Sequence, residues 1–247
     1  MIKFENTEVL GWEHAIRGMR NPMNSWDKSD SNTSFPLELR LYPDIGPNDY
    51  DLMKRLRESG TDHRKFMRML TVYVDITAPL YWWKEFDTYK VGTVANSCST
   101  MHKIHAKEFT LDDFSHEHLF ADSAMNGYYD KIAEEFLWSE DILQITINGL
   151  NHYRNAYLMA LKTEDECGIP AKEIWWQMIQ LLPSSYNQKR TVMLNYEVLA
   201  NIYKSRKNHK QDEWSIGFMD WIKSLPYSEL ITGEFDRRFI QNDYDKE

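Results

Sequence analysis

The stretch from Leu70 to Phe86 leaves a folding chain little choice. Leu70, Val72, Val74 and Ile76 alternate with Thr71, Tyr73, Asp75 and Thr77, the two-residue period that lays one apolar and one polar face along a strand. Pro79 follows, then LYWWKEF. Proline has no N–H to give to a ladder, and its fixed φ suits the first turn of a helix. A half-buried strand that turns at once into an aromatic helix is therefore predicted. Something must cover the strand's apolar face, and most of what the remaining sequence offers is helical.

Residues 2–10 read as a further strand, and HAIRGMRNPMNSW as a short helix broken near Pro22. The polar run SWDKSDSNTS and Pro36, Pro43 and Pro47 make 24–50 loop-like. Asp49 is placed to cap a helix, DLMKRLRES, closed by Gly60. Residues 106–140 are acidic and aromatic, and helix is expected after 126. Residues 141–166 read as a long amphipathic helix with Ile142, Ile145, Leu150, Tyr153 and Tyr157 near one side. KEIWWQMIQLL forms another, up to Pro183. Leu194, Val198 and Ile202 stand four apart, so 186–206 is expected as one helix, and DEWSIGFMDWIKSL as the last, stopped at Pro226. No internal repeat or flexible linker interrupts this order. The expected class is α+β: a mostly helical single domain over 1–247 with a small central sheet.

Composition excludes some functions. A net charge of −9 over 247 residues argues against general nucleic-acid binding, which runs on phosphate neutralisation. Nine Trp and 14% aromatics ask for a large core or an extensive interface. No segment approaches the roughly 20 apolar residues of a membrane span, and MIKFENTEVLGWEH lacks the apolar run of a signal peptide. Cys98 and Cys167 have no CxxC partner, so neither a zinc ribbon nor a disulfide framework is expected, and a cytoplasmic location is. Phosphate-loop, HExxH and GxSxG patterns are absent, with ten Gly in all. His102 and His105, and His116 and His118 around Glu117, lack a paired carboxylate, so no metal site is expected. Cys98 has no evident base to activate it and is expected as a buried small side chain. Trp82–Trp83 and Trp175–Trp176 are expected to pack, and TEDE at 163–166 to be a solvated helix face.

One stretch is unusual. EFDTYKVGTVANSCSTMH, residues 85–102, is rich in small hydroxyls and amides, which line ligand pockets and also make ordinary loops. Its neighbours carry a resemblance. GTDHRKFMRMLTVYVDI, PLYWWKEFDTYKVGTVANSCSTM, GIPAKEIWWQMIQLLP and NYEVLANIYKSRKNHKQDEWSI resemble, in that order, four segments of the flavin-dependent thymidylate synthases, which methylate dUMP using FAD. The resemblance runs from about residue 50 to 226; 106–140 matches less well and is a candidate insertion. It implies the family's fold and a homotetramer whose sites are built from several subunits. If the chain is catalytic, it also implies FAD, NADPH and methylenetetrahydrofolate, with reduced flavin carrying the one-carbon unit to uracil C5.

The departures from the family pattern are chemical. The family's Arg-His-Arg falls on Thr88, Tyr89 and Lys90, and the Gln upstream on Glu85. Its Asn-Glu-x-Ser-x-Arg tail falls on Ala95, Asn96, Ser97, Cys98, Ser99 and Thr100, so the nucleotide-contacting Arg becomes Thr100. The Thr and Glu that approach the flavin fall on Lys65 and Arg68, and the Arg before Leu-Pro near Ile179. In the last helix Asn195, Asn201 and Arg206 match, but the Arg between the two Asn is Glu197. Each lost arginine removes a charged hydrogen bond worth about 1.5–3 kcal/mol, and neither Lys nor Thr replaces its bidentate fork. Arg64, Lys65, Arg68, Lys84 and Lys103 put positive charge elsewhere. Two readings follow. In one, a diverged enzyme binds a flavin or nucleotide through Lys65, Arg68, Lys90, Asn96, Ser97, Asn195, Asn201 and Arg206, and transfers one carbon to a pyrimidine nucleotide. In the other, a non-catalytic nucleotide- or partner-binding module keeps the fold alone.

Overall fold

The computed structural model describes residues 2–32, 43–121, 127–132, 134–163 and 168–235. Along the chain run β1 (Lys3–Leu10), α1 (Trp12–Arg20), α2 (Pro47–Glu58), β2 (Thr71–Pro79), α3 (Leu80–Phe86), β3 (Val94–Ser97), β4 (Tyr128–Asp130) and β5 (Glu135–Leu137). Then follow α4 (Ser139–Thr163), α5 (Ala171–Leu181), β6 (Asn187–Asn195), α6 (Tyr196–Arg206), a π-helical segment (Glu213–Phe218), α7 (Met219–Ser224) and α8 (Glu229–Thr232). Four strands form one sheet in the order β1-β2-β6-β3, and β4 pairs with β5. The α+β, mostly helical class with a small sheet is what the sequence predicts. No helix among the described residues is long and apolar enough to cross a membrane.

The chain packs as two compact units. One comprises Ile2–Ile76, Thr88–Asn96 and the chain from Thr191; the other Thr77–Asp87 and Ser97–Arg190. In the first, Val72, Val74 and Ile76 are fully buried while Tyr73 is exposed, the alternation read from sequence. Leu194 and Val192 on β6 repeat the period. The Tyr196 N–H meets the Leu70 carbonyl at 3.1 Å, and the Leu80 N–H meets that of Tyr186 at 3.0 Å, so β2 and β6 run antiparallel. The helix expected over 186–206 is thus a strand followed by a helix; only Val198 and Ile202 share true helical spacing. The second helix begins at Pro47 and has Gly46 at its N-cap position. Asp49 is not its cap but a fully buried carboxylate.

In the other unit, α4 and α5 pack together over a core of Ile104, Phe109, Phe114, Leu143, Ile147, Leu150 and Met178. Phe109 and Phe114 root the atypical segment 106–140 in that core. The expected inward face of α4 is corrected: Ile142 and Ile145 are exposed. Asn151 sets the rotation, accepting from the Phe109 N–H and donating to its carbonyl, both at 2.8 Å. Beyond residue 126 the expected helix is a hairpin, with Tyr128 opposite Leu137 and Asp130 opposite Glu135. It turns through Glu134 at φ 57°, and the Asp130 carboxylate takes the Ile132 N–H at 2.8 Å. Trp82 and Trp83 are buried as expected, and the Trp83 indole donates to the Gln188 carbonyl at 2.9 Å. Of TEDE, residues 164–166 lie outside the described residues, as does Cys167.

Candidate functional site

The end of α6 gathers the clearest constellation. Arg206 Nε donates to the Tyr89 hydroxyl at 2.8 Å. Its guanidinium lies 5.0 Å from the Trp214 ring centre and 5.6 Å from that of Tyr89, close enough for cation–π attraction to both. Trp214 is fully buried in the π-helical segment, a rare geometry that recurs at functional sites. Two aromatic walls and a phenol therefore fix a half-buried guanidinium in one orientation. Fixing a fork in advance removes the entropy its long side chain would otherwise lose on meeting an anion.

At the other end of α6, Asn195 is the N-cap, and its side-chain oxygen accepts the Val198 N–H at 3.0 Å. That bond accounts for its presence without a ligand, at about 1 kcal/mol. Gly92, at φ 74°, brings the 88–96 segment against this cap; a Cβ there would stand 3.1 Å from Asn195 Nδ2 and from Val198 Cγ2. Tyr89 and Gly92 thus lie over the two ends of one helix.

Asn201 faces elsewhere. Its amide oxygen takes a 3.4 Å bond from Arg64, whose Nε lies 2.8 Å from the carboxylate of buried Glu197. Asn201 and Arg206 are five residues apart and about 140° apart around the helix, so these two sequence candidates do not converge. Lys65 and Arg68 are exposed on the 3-10 turn Arg64–Arg68. Thr88, Lys90 and Asn96 are also exposed. In the other unit, Glu85 is half-buried on α3, while Ser97 closes β3 and Cys98 and Ser99 follow it, all three exposed. The expectation of a buried Cys98 is corrected: its backbone is what the fold uses, its N–H donating to the Lys189 carbonyl at 2.9 Å and its carbonyl accepting from Gln188 Nε2 at 2.8 Å. Ser99 Oγ accepts the His102 N–H at 3.0 Å. His116 Nδ1 lies 2.9 Å from the Phe114 carbonyl, and the His105 ring rests on Tyr157. The described residues bring no three metal-ligating side chains together.

A feature the sequence reading missed lies on the Asn201 face. A pocket of about 470 Å³ is lined by Arg57, Thr61, Arg64, Ala200, Asn201, Tyr203, Lys204, Lys207, Ile231 and Thr232. Its cations come from α2, the 3-10 turn and α6, so their convergence has no local signature; KSRK at 204–207 is the one hint.

No protein-family model matches the sequence, and no curated protein sequence matches it. Solved structures do. Thymidylate synthase X from Helicobacter pylori, crystallised with FAD and dUMP, superposes with a TM-score of 0.58 over 93% of this chain and 96% of that one, at 14% identity. A second structure, described as the flavin-dependent thymidylate synthase ThyX of H. pylori with FAD and dUMP, gives 0.57, with 92% and 96% covered, at 15% identity. The chain has the flavin-dependent thymidylate synthase fold. A UMP/dUMP methylase, PolB from Streptomyces cacaoi, bound to 5-Br dUMP, also superposes, at 0.50 over 96% of both chains with 13% identity.

Within this thymidylate-synthase fold, the donors can be tested against FAD. Its diphosphate calls for paired cationic forks. The signature segment supplies only Lys90, Thr100 is uncharged, and Glu197 puts a buried carboxylate where the family pattern has an arginine. These residues do not fit FAD in the family's pose.

Proposed function

We propose that this chain binds a pyrimidine nucleotide at the end of α6, with Arg206 as its anion contact and Tyr89 and Trp214 holding that contact in place. The observation that carries the reading is the Arg206 guanidinium fixed between two aromatic rings by the Tyr89 hydroxyl. Structural likeness to proteins crystallised with dUMP or 5-Br dUMP supports the ligand class. The loss of arginine at 88, 90 and 100 supports a module that has kept nucleotide binding and lost thymidylate synthesis.

Two measurements test this. Titration with dUMP is expected to change Trp214 fluorescence with a saturating curve, whereas absence of saturation up to millimolar dUMP removes the nucleotide reading. Tritium release from C5-labelled dUMP, with FAD, NADPH and methylenetetrahydrofolate supplied, is expected to stay at background. Release, or a flavin absorption band that co-purifies with the protein, would restore the enzyme reading.

Self-association belongs to the same proposal. Helix α4 exposes Ile142, Ile145 and Met159, each about half open to solvent and within about 100° of one another around the helix, and apolar surface on one face marks contact sites. Sedimentation is expected to give four chain masses, and paired Ile142→Glu and Ile145→Glu substitutions to reduce the mass. A monomer at micromolar concentration would overturn the assembly.

A further inference from the structure

The hairpin of β4 and β5 is built as though a strand were missing. Each strand has three residues, and the pair forms a sheet of its own. Two short strands alone are marginal in water, and a third strand is one remedy. The register sorts the side chains onto two faces. Tyr129 stands opposite Phe136, and Asp130 opposite Glu135. On the first face the Tyr129 and Phe136 rings lie 5.2 Å apart between centres, and both remain about half exposed. Gly127 extends that face without covering it: a Cβ there would stand 3.3 Å from Phe136 Cδ1 and 3.5 Å from the Trp138 ring. On the second face two carboxylates stand directly opposite each other, an arrangement that costs stability. Asp130 is half-buried and takes the Ile132 N–H, while Glu135 is exposed. From 127 to 138 the one cation is Lys131, against Asp130, Glu134 and Glu135.

We propose that the outer edge of β5 takes an extended segment of another protein, one in which Lys or Arg alternates with apolar residues. Added as a third strand, such a segment exchanges main-chain hydrogen bonds with β5 and sends successive side chains to opposite faces. Its cations meet Glu135 and Asp130, and its apolar residues cover Phe136 and Tyr129. β5 is the receiving edge because the Glu135 carboxylate is exposed, whereas that of Asp130 on β4 already holds a backbone N–H. Charge chooses the partner. A second copy of the hairpin would set carboxylates against carboxylates, and charge on a strand edge is a known device against self-pairing. A cationic strand removes the like-charge cost instead. The hairpin falls within 106–140, where the resemblance to the thymidylate synthases is weakest, and the surface uses none of the residues of the nucleotide contact.

Fluorescence anisotropy with a labelled peptide, Lys-Val-Lys-Val-Lys-Val-Lys, tests the surface. Saturable binding is expected, weaker at raised salt. A peptide of the same composition with its Lys and Val in separate blocks should bind at least about fivefold more weakly, because it cannot offer one kind of side chain to each face. Glu135→Lys should weaken the alternating peptide about fivefold, the upper end of one cross-strand charge pair, and Phe136→Ser by a similar factor. The two side chains point to opposite faces and share no partner, so the double variant should lose about 25-fold. Both positions are exposed, and circular dichroism should be unchanged. No saturable binding below millimolar peptide, equal binding of the block peptide, or equal binding by the double variant overturns the site. A lower sedimenting mass for Phe136→Ser would make a second copy of the chain the occupant, and overturns it as well.

Discussion

Replacing Asp49 by alanine is expected to destabilise the protein by about 3–5 kcal/mol, the cost of breaking a buried ion pair by removing one partner. Asp49 is fully buried and Arg20 nearly so. Arg20 Nε meets Asp49 Oδ1 at 2.6 Å. The other carboxylate oxygen accepts the Ser29 and Ser31 hydroxyls, both at 2.7 Å, and the Asp30 and Ser31 N–H groups at 3.1 Å. The rest of the Arg20 fork donates to the Ser25 and Lys28 carbonyls at 3.1 and 3.0 Å. One carboxylate therefore joins α1, α2 and the loop 25–31, and its loss strands a guanidinium in the interior. A chain of this size should lose about 6–20 °C in Tm. Replacing both partners with apolar residues should cost less, because no charge is then left alone. A single variant melting within 2 °C of the parent, about the shift expected from 1 kcal/mol or less, would refute the account.

The same carboxylate sets a pH dependence. Burial pushes the Asp49 carboxyl upward, but hydrogen bonds from Ser31, Ser29 and Arg20, together with the Arg20 charge, outweigh it and hold the pKa below its usual value. A depressed folded pKa contributes stability that is complete above the unfolded value of about 3.9 and is lost as pH falls through the folded one. The acid limb of the stability curve should accordingly be shallower in the alanine variant.

Asp49 also shows why some features were legible in the sequence and others not. A carboxylate two residues into a helix reads the same whether it caps the helix or binds an arginine 29 positions away. The β2–α3 junction was legible because its signals are local: a two-residue period, then Pro79. β6 was hidden by Arg190, which breaks the apolar alternation. The fold makes that arginine behave as a partly apolar side chain, its guanidinium 4.1 Å from the Trp83 ring centre and its charge met by Asp87 at 2.7 Å. The hairpin at 128–137 lacks the Asn-Gly or Asp-Gly signal that marks tight turns.

The site divides along the same line. The order of four sequence segments placed Tyr89 and Arg206 in one candidate set, and the structure joins them. The same reading grouped Asn201 with Arg206, although five residues turn the two apart. The four-cation pocket draws on residues 57–64, 200–207 and 231–232, and only tertiary packing brings those together. A lost arginine is visible position by position, whereas charge relocated to other helices is not.

Arg206→Ala is expected to weaken dUMP binding tenfold or more, and up to about 150-fold, the range of one charged hydrogen bond. Two further variants separate charge from positioning. Tyr89→Phe keeps the ring 5.6 Å from the guanidinium but removes the hydroxyl that holds Nε at 2.8 Å. It deletes one hydrogen bond, worth about 0.5–1.5 kcal/mol, and leaves the cation, so dUMP affinity should fall about two- to tenfold. Arg206→Lys keeps the charge without the planar fork and should fall between those two, since an ammonium cannot offer two parallel donors to a phosphate. The order Ala below Lys below Phe at position 89, read by fluorescence titration with circular dichroism to confirm the fold, is what a preset guanidinium requires. If all three variants bind dUMP as the parent does, Tyr89 serves only to pack Arg206 against Trp214, and the nucleotide contact lies elsewhere in the chain.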